Sequence, residues 1–297
     1  MDVSLQNYAD SYYKVPDLPG LEELVRFPDG EFKRDSIPNS TIWVFNRSGH
    51  VFVPHILSDD VGCGIAAFVI GKVDAEKAAD KIYRHLKGRG VIGGGNHFVD
   101  VCSEIDSLDI NMDAHNILLV HSDGKSYGPG VPKSIAEALS KQKRAEDFRK
   151  DLGYELAGLL DVPVSMMGNW THNSVEDSEK VIYRKGVVKV EPHKLHVLPA
   201  HLAAKILMYT VDESDLPPYS SMPHATGRSG PTGKMKVSSE IAGLLRKQVY
   251  IPAGISDSSL RSEHPSCYNG FGRILSRLGN HIVPLGECRI LGYVGKV

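Results

Sequence analysis

Three observations in the sequence predict an α+β fold. Short apolar runs bounded by glycine, asparagine and proline clusters read as strands. A few longer stretches carry apolar residues at helical spacing. The two kinds follow one another irregularly, whereas a doubly wound parallel sheet requires regular alternation. The 297 residues are 41% hydrophobic, enough for a buried core. No repeat, low-complexity segment or long linker demands a boundary, so residues 1–297 read as one domain.

Along the chain, the first sixty residues read as short strands and turns. Thr41 to Phe45 and His50 to Pro54 are β-like, separated by the turn cluster Asn46-Arg47-Ser48-Gly49. Gly64 to Gly71 reads as a buried strand. Asp74 to Leu86, with an acidic first turn, reads as an amphipathic helix. Asn116 to Val120 is a short apolar strand ending at His121, and Pro132 to Leu160 is the longest helical stretch. Within that stretch the charged run from Lys141 to Lys150 reads as a solvated helix face, or alternatively as a surface touching RNA phosphates. Val181 to Val190 reads as a hairpin turning near Lys185-Gly186. Pro199 to Val211, Ser238 to Val249 and Gly272 to Leu278 read as helices.

Composition narrows the function classes. Charged residues make up 24% and the formal net charge is -2, so any nucleic-acid contact must come from local basic patches. Met1 to Lys14 carries Asp2 and Asp10 and has no apolar core, which argues against a signal peptide. No apolar run is long enough to cross a bilayer. Cys63, Cys102, Cys267 and Cys288 are scattered without a CxxC pair, which suits a reduced, cytoplasmic protein better than a disulfide framework or zinc ribbon.

Thirteen histidines are a generous supply of transition-metal ligands, so their placement matters. In Asp60-Val61-Gly62-Cys63-Gly64 a carboxylate and a thiol can converge on one turn that the glycines allow to bend. A thiolate can bridge two metal ions while the aspartate supplies a harder ligand; a buried structural cysteine beside a turn aspartate is the plainer reading. Gly93-Gly94-Gly95-Asn96-His97-Phe98 exposes backbone N–H groups able to cradle an anion, or is simply a flexible loop. His121 opens into Ser122-Asp123-Gly124 as either a metal ligand or a satisfied core histidine. A P-loop ending at Gly124-Lys125-Ser126 is excluded because Leu119 stands where its first glycine belongs. His172-Asn173 closes a polar, turn-rich patch beginning at Gly168. His224-Ala225-Thr226-Gly227-Arg228 offers an imidazole that can attack phosphorus and a guanidinium that can hold developing charge.

Taken in order, Asp-x-Gly-Cys-Gly, Gly-Gly-Gly-Asn-His-Phe, His-Ser, His-Asn, Arg-Lys-Gly (Arg184 to Gly186) and His-x-x-Gly-Arg resemble the RtcB family of RNA ligases, from Asp60 to Arg228. Glu263-His264-Pro265-Ser266-Cys267-Tyr268 is similar to that family's acidic-Pro-x-x-Tyr segment. The resemblance implies an RtcB-like single domain with mixed β-sheets around a central metal cleft. It implies two Mn²⁺ ions bridged by Cys63, with Asp60 and His97 completing one site and His121 and His172 the other. His224 would be the nucleophile toward GTP, Asn96 and Arg228 would hold phosphate oxygens, Asp100 would read the guanine, and Phe98 and Tyr268 would complete the nucleotide site. The implied activity is GTP-dependent joining of RNA 3′-phosphate or 2′,3′-cyclic phosphate ends to 5′-hydroxyl ends through a histidine–GMP intermediate.

The chain departs from that pattern in several places. His121-Ser122-Asp123-Gly124-Lys125-Ser126 stands for His-Ser-Gly-Ser-Arg-Gly, and Ala200-His201-Leu202-Ala203 for the Gly-Ser-Met-Gly turn. Ala225-Thr226 stands for Gly-Ala, Gly295-Lys296-Val297 replaces a terminal Lys-Gly, and the spans between ligands are short. The chain thus resembles a shortened, divergent member. The altered turn favours a second reading, a metal-dependent phosphoesterase acting on RNA cyclic or terminal phosphates. The short spans suit a third, a catalytically weak RNA-end binding protein. No Lys-x-Asp-Gly signature is present, which disfavours ligation through an adenylated lysine.

Overall fold

The computed structural model describes residues 3–9, 13–30, 37–107, 115–128, 130–230 and 235–297. Asp2 and Asp10, on which the reading of the N-terminus rests, lie outside them. The chain opens with β1 (Ser4–Asn7), β2 (Leu21–Arg26) and β3 (Thr41–Asn46). The turn after β3 forms as expected, with the Asn46 side chain accepting the Ser48 amide. His50 to Pro54 forms no strand. Pro54 has no amide to give to a sheet and instead starts a single helical turn, α1 (Pro54–Leu57).

The apolar run beginning at Gly64 becomes β4 (Gly64–Gly71), followed by α2 (Ala75–Leu86). Asp74 caps α2 by accepting from the Glu76 and Lys77 amides, a contact worth about 1 kcal/mol. Next come β5 (Phe98–Cys102), β6 (Asp106–Ser107), β7 (His115–Ser122), α3 (Ile135–Leu160) and β8 (Val164–Thr171). Ser134 caps α3 through the Glu137 amide. The segment from Gly168 to Thr171, read as a turn-rich patch, is the end of β8, paired along β4.

Strands β4, β5 and β7 sort their side chains by the two-residue period of an extended chain. Ala66, Phe68, Ile70, Val99, Val101, Leu118 and Val120 face one core, roofed by Ala79, Ile82 and Leu86 of α2 and Leu152 and Leu156 of α3. Each large apolar side chain fully buried there stabilises the fold by about 1.5–3 kcal/mol. Ile65, Ala67, Cys102, Ile117 and Leu119 face the opposite core. Phe98 and His121 are directly paired at the end of β5 and β7, and Ile65 pairs with His121 from the other side.

The rest of the chain is β9 (Asn173–Asp177), β10 (Lys180–Lys185), β11 (Val187–Lys189), β12 (His196–Leu198), β13 (Lys205–Thr210), β14 (Ser221–Pro223), α4 (Ser239–Gly243), α5 (Gly272–Leu278) and β15 (Val283–Gly295). Two expectations need correction. The chain does turn at Gly186, with φ +66°, but its arms part company. β10 joins β3 and β9, while β11 pairs with β14. Pro199 to Val211 is a hairpin arm, because buried Ile206 and Met208 alternate with half-buried neighbours and β13 pairs with β12 and β15. Ser238 to Val249 holds the short α4 and a 3₁₀ turn, and α5 matches its expected span.

Strand order is β1-β2-β3-β10-β9 in one sheet, β11-β14 in a second, and β12-β13-β15-β5-β7-β4-β8 in the largest, with β6 on β15. The mixed α+β class is therefore observed. Gly153 of α3 sits over the Phe68 ring, where an added Cβ would approach ring carbon to 2.1 Å. Gly153→Ala should therefore destabilise the protein by about 1–3 kcal/mol in urea unfolding, although alanine is the better helix former.

Candidate metal centre

The tight turn before β4 delivers the first two side chains. The Cys63 amide bonds to the Asp60 carbonyl at 3.2 Å, and Gly62 takes φ +96°, a conformation costly for any residue with a Cβ. Two backbone bonds tie this turn to the end of β8: His172 N–H to the Cys63 carbonyl at 2.9 Å, and Gly62 N–H to the Asn173 carbonyl at 2.8 Å. Residues over a hundred positions apart are thus set side by side. The triple-glycine loop delivers His97, whose Nδ1 donates to the Gly94 carbonyl at 2.6 Å and so turns Nε2 inward. His121 arrives at the end of β7.

Three imidazole nitrogens converge on one sulfur. Cys63 Sγ lies 3.1 Å from His172 Nε2, 3.4 Å from His97 Nε2 and 3.6 Å from His121 Nε2. Ligand atoms bonded to one tetrahedral ion through a sulfur at ~2.3 Å and a nitrogen at ~2.0 Å are about 3.5 Å apart, so these separations fit ligand edges. The side chains form two overlapping groups, Cys63-His121-His172 and Asp60-Cys63-His97, each with donor atoms within 4.8 Å of one another. Both groups could hold a metal ion, and Cys63 belongs to both. Asp60 is oriented by the Gly124 amide at 3.1 Å and the Asn173 side chain at 3.2 Å.

Electrostatics keep these rings in the ligand form. Burial lowers the proton affinity of His97, with Asp60 opposing. Burial, then the neighbouring imidazoles, with Arg149 contributing further, hold His121 and His172 well below the ordinary 6.5. A neutral imidazole is the form that binds a cation.

His224 follows β14 and lies beside this group, its ring centroid 4.3 Å from that of His172. Its Nδ1 donates to the Gly186 carbonyl at 2.7 Å, placing the ring's lone pair on Nε2. Gly186 in turn gives its amide to the Asn173 side chain at 2.9 Å. Asn173 therefore links Asp60 to the carbonyl that orients His224. The His172-Asn173 pair was visible in the sequence, but nothing there assigned the asparagine this work.

A cavity of about 430 Å³ opens beside the centre, and every site residue named from the sequence lines it except His97, which reaches Cys63 from behind. Phe98 packs against His121 with centroids 5.0 Å apart. Asp100 lies deeper on the same face of β5. Its carboxyl is fully buried without a hydrogen bond among the described residues, and burial, with Glu263 nearby, raises its proton affinity well above the carboxylate range. Arg228 stacks over the Tyr268 ring at 4.5 Å. Both reach Glu263, as does Lys296 at 2.9 Å. Burial pushes the Glu263 carboxyl up, but Lys296 and Arg228 outweigh it and hold the group ionised. Glu263 and Lys296 thus order the wall that carries Arg228 and Tyr268, and Lys296 also donates to the Gly95 carbonyl in the loop that delivers His97, a role the sequence did not reveal. His201 also lines the cavity.

The charged run on α3 is corrected in part. Lys141 and Arg149 are buried at 2% and 0% exposure and point into the protein, so neither is a solvated face or an RNA contact. Lys143 and Arg144 do face outward, in contact with Asp147 and with the Tyr127 carbonyl.

Because the sulfur belongs to both donor groups, Cys63→Ala is expected to bind less metal than the wild type by elemental analysis, and unchanged metal content would contradict a shared sulfur. Metal-free protein should also be acid-sensitive. His97, His121, His172 and His196 are held below 6.5 in the fold, chiefly by burial, and regain it on unfolding. The unfolded chain then binds more protons, so stability present above about pH 6.5 is lost as the pH falls below it. Thermal melts at pH 7.5 and 5.5 in chelator test this, and a rise in Tm on acidification would refute it.

No protein-family model and no curated protein matches the chain.

Proposed function

We propose that the chain is a GTP- and Mn²⁺-dependent RNA ligase of the RtcB type, joining RNA 3′-phosphate or 2′,3′-cyclic phosphate ends to 5′-hydroxyl ends. One observation carries the reading: an imidazole of fixed tautomer, His224, stands against a two-site cluster of metal-ligand type at the wall of a cavity. The ordered motif resemblance from Asp60 to Arg228 supports the same assignment.

Asp60, Cys63 and His97 would hold one ion and Cys63, His121 and His172 the other, the sulfur being common to both groups. Bound there, the ions supply charge neutralisation for phosphate oxygens and a clamp on attacking and leaving atoms. His224 Nε2 attacks the α-phosphorus of GTP. A P–N bond forms, the bond to the β-phosphate oxygen breaks, and pyrophosphate leaves. The Nδ1–H bond to the Gly186 carbonyl stabilises the positive charge the ring acquires. Asn96 and Arg228 hold phosphate oxygens. Asp100, a buried carboxyl with no hydrogen bond among the described residues, would accept from the N–H edge of guanine, donors that would also favour its ionised form, with Phe98 and Tyr268 bounding the nucleotide. An RNA 3′-phosphate oxygen then takes GMP from His224. The 5′-hydroxyl attacks the activated 3′-phosphorus, forming the phosphodiester and releasing GMP. A cyclic phosphate end is first opened by water to the 3′-phosphate. A bridging thiolate needs a reducing setting, and the four cysteines, all buried free thiols, accord with the cytoplasm.

Incubation with Mn²⁺ and α-labelled GTP should give an acid-labile, base-stable protein adduct, absent in His224→Ala although that variant keeps its metal. An adduct that persists in His224→Ala would move the nucleophile elsewhere. Failure to form one in the wild type, with cyclic phosphate still opened, would make the protein a phosphoesterase.

A further inference from the structure

Two glycines flank Cys63, and one face of α3 crowds both. A Cβ on Gly62 would approach the Ala145 Cβ to 2.6 Å, and one on Gly64 would meet the Trp170 carbonyl oxygen of β8 at 2.5 Å and Arg149 Nη2 at 2.7 Å. Ala145 and Arg149 are four residues apart, hence neighbours on the same helix face. The turn has been cleared of side chains so that this face, and the guanidinium in particular, can reach it.

Burying a guanidinium costs several kcal/mol unless its donors are satisfied. Arg149 is fully buried, and among the described residues no carboxylate pairs with it. Its fork spends its donors on three oxygens instead. Nη1 donates to the Gly62 carbonyl, Nη2 to Thr171 Oγ1 at 3.0 Å, and Nε to Asn169 Oδ1 at 3.0 Å. Gly62 directly precedes Cys63, and Thr171 directly precedes His172. Thr171 Oγ1 passes its own hydrogen to Glu146, one helical turn back on α3, at 2.7 Å.

We propose that Arg149 is a positioning residue of the metal centre, its planar fork fixing the carbonyl before Cys63 against the hydroxyl before His172 and so setting the separation of the sulfur and the imidazole. This inference rests on the cluster being a metal site. A lysine would keep the charge yet could not span both oxygens in one plane, so the role belongs to the fork. Groups behind the ligands commonly govern metal affinity by 10–100-fold in this way.

Co²⁺ is the probe, because a thiolate–Co²⁺ bond gives a charge-transfer absorption and visible bands that follow the geometry of the donors. Wild type, Arg149→Lys and Thr171→Val are titrated with Co²⁺, and their metal-free folding is checked by circular dichroism and melting. Arg149→Lys should fold, bind Co²⁺ about 10–100-fold more weakly, and shift or weaken the charge-transfer band. Thr171→Val should change in the same direction by less. Wild-type affinity and spectrum in folded Arg149→Lys, whatever its Tm, would reduce Arg149 to a structural role and overturn the proposal. If Arg149→Lys does not fold, an unchanged spectrum and affinity in Thr171→Val overturns it instead. A wild type without any thiolate–Co²⁺ band would defeat the metal centre itself, and the role of Arg149 with it.

Discussion

A sulfur atom enclosed by three imidazole nitrogens inside a protein is an arrangement of electron pairs facing one another. Water cannot separate them, because Cys63, His97, His121 and His172 are all buried. Such a grouping becomes favourable when a cation lies among the donors, and the rest of the molecule can be understood as scaffolding for it. The donors come from three β-strand termini and one glycine loop, so the large sheet must hold its register before they meet. The backbone bonds between the Cys63 turn and the end of β8 make that register local and rigid at the one place where it matters most.

Behind this group stands α3, a helix whose polar sequence conceals a buried face. Lys141, Ala145 and Arg149 recur every fourth residue and all lie against the turn from Asp59 to Gly64. The Lys141 ammonium bonds to the Asp59 carbonyl, in the place an apolar side chain would occupy in an ordinary amphipathic helix. Cationic groups are suited to this surface because a tight turn points carbonyl oxygens outward that no strand partner can satisfy. The helix thus contributes both to the apolar core on one side and to the polar foundation of the centre on another.

The sequence disclosed unequal parts of this. Strand β4, helix α2 and the end of β7 were legible because their apolar patterning is strong, and α3 because it is a long run of helix-forming residues. His50 to Pro54 misled because Pro54 has no amide to give to a sheet, and Pro199 to Val211 misled because its few apolar residues fit either period until pairing with β12 and β15 decided it. The ligand-type residues were legible because their side-chain chemistry is conspicuous and their neighbours are glycines. The roles of Glu263, Lys296, Asn173 and Arg149 were not, because each has a partner at least 33 positions away, and nothing in the local sequence marks a charged or amide residue as turned inward. The charged run on α3 is the clearest instance: composition describes a segment, whereas burial is settled residue by residue.

Gly186 shows how unevenly the site can tolerate change. Its carbonyl receives His224, its amide engages Asn173, and it turns in the left-handed region where a Cβ would strike the Asn39 side chain at 2.6 Å. Any replacement there disturbs several contacts at once, so mutation has almost no neutral path through that position. The wall formed by Ala200, His201 and Leu202 has no comparable burden: these side chains border the cavity without orienting His224 or the clustered donors. Evolution could therefore revise what the pocket accepts, residue by residue, while the half that carries the clustered histidines stays fixed.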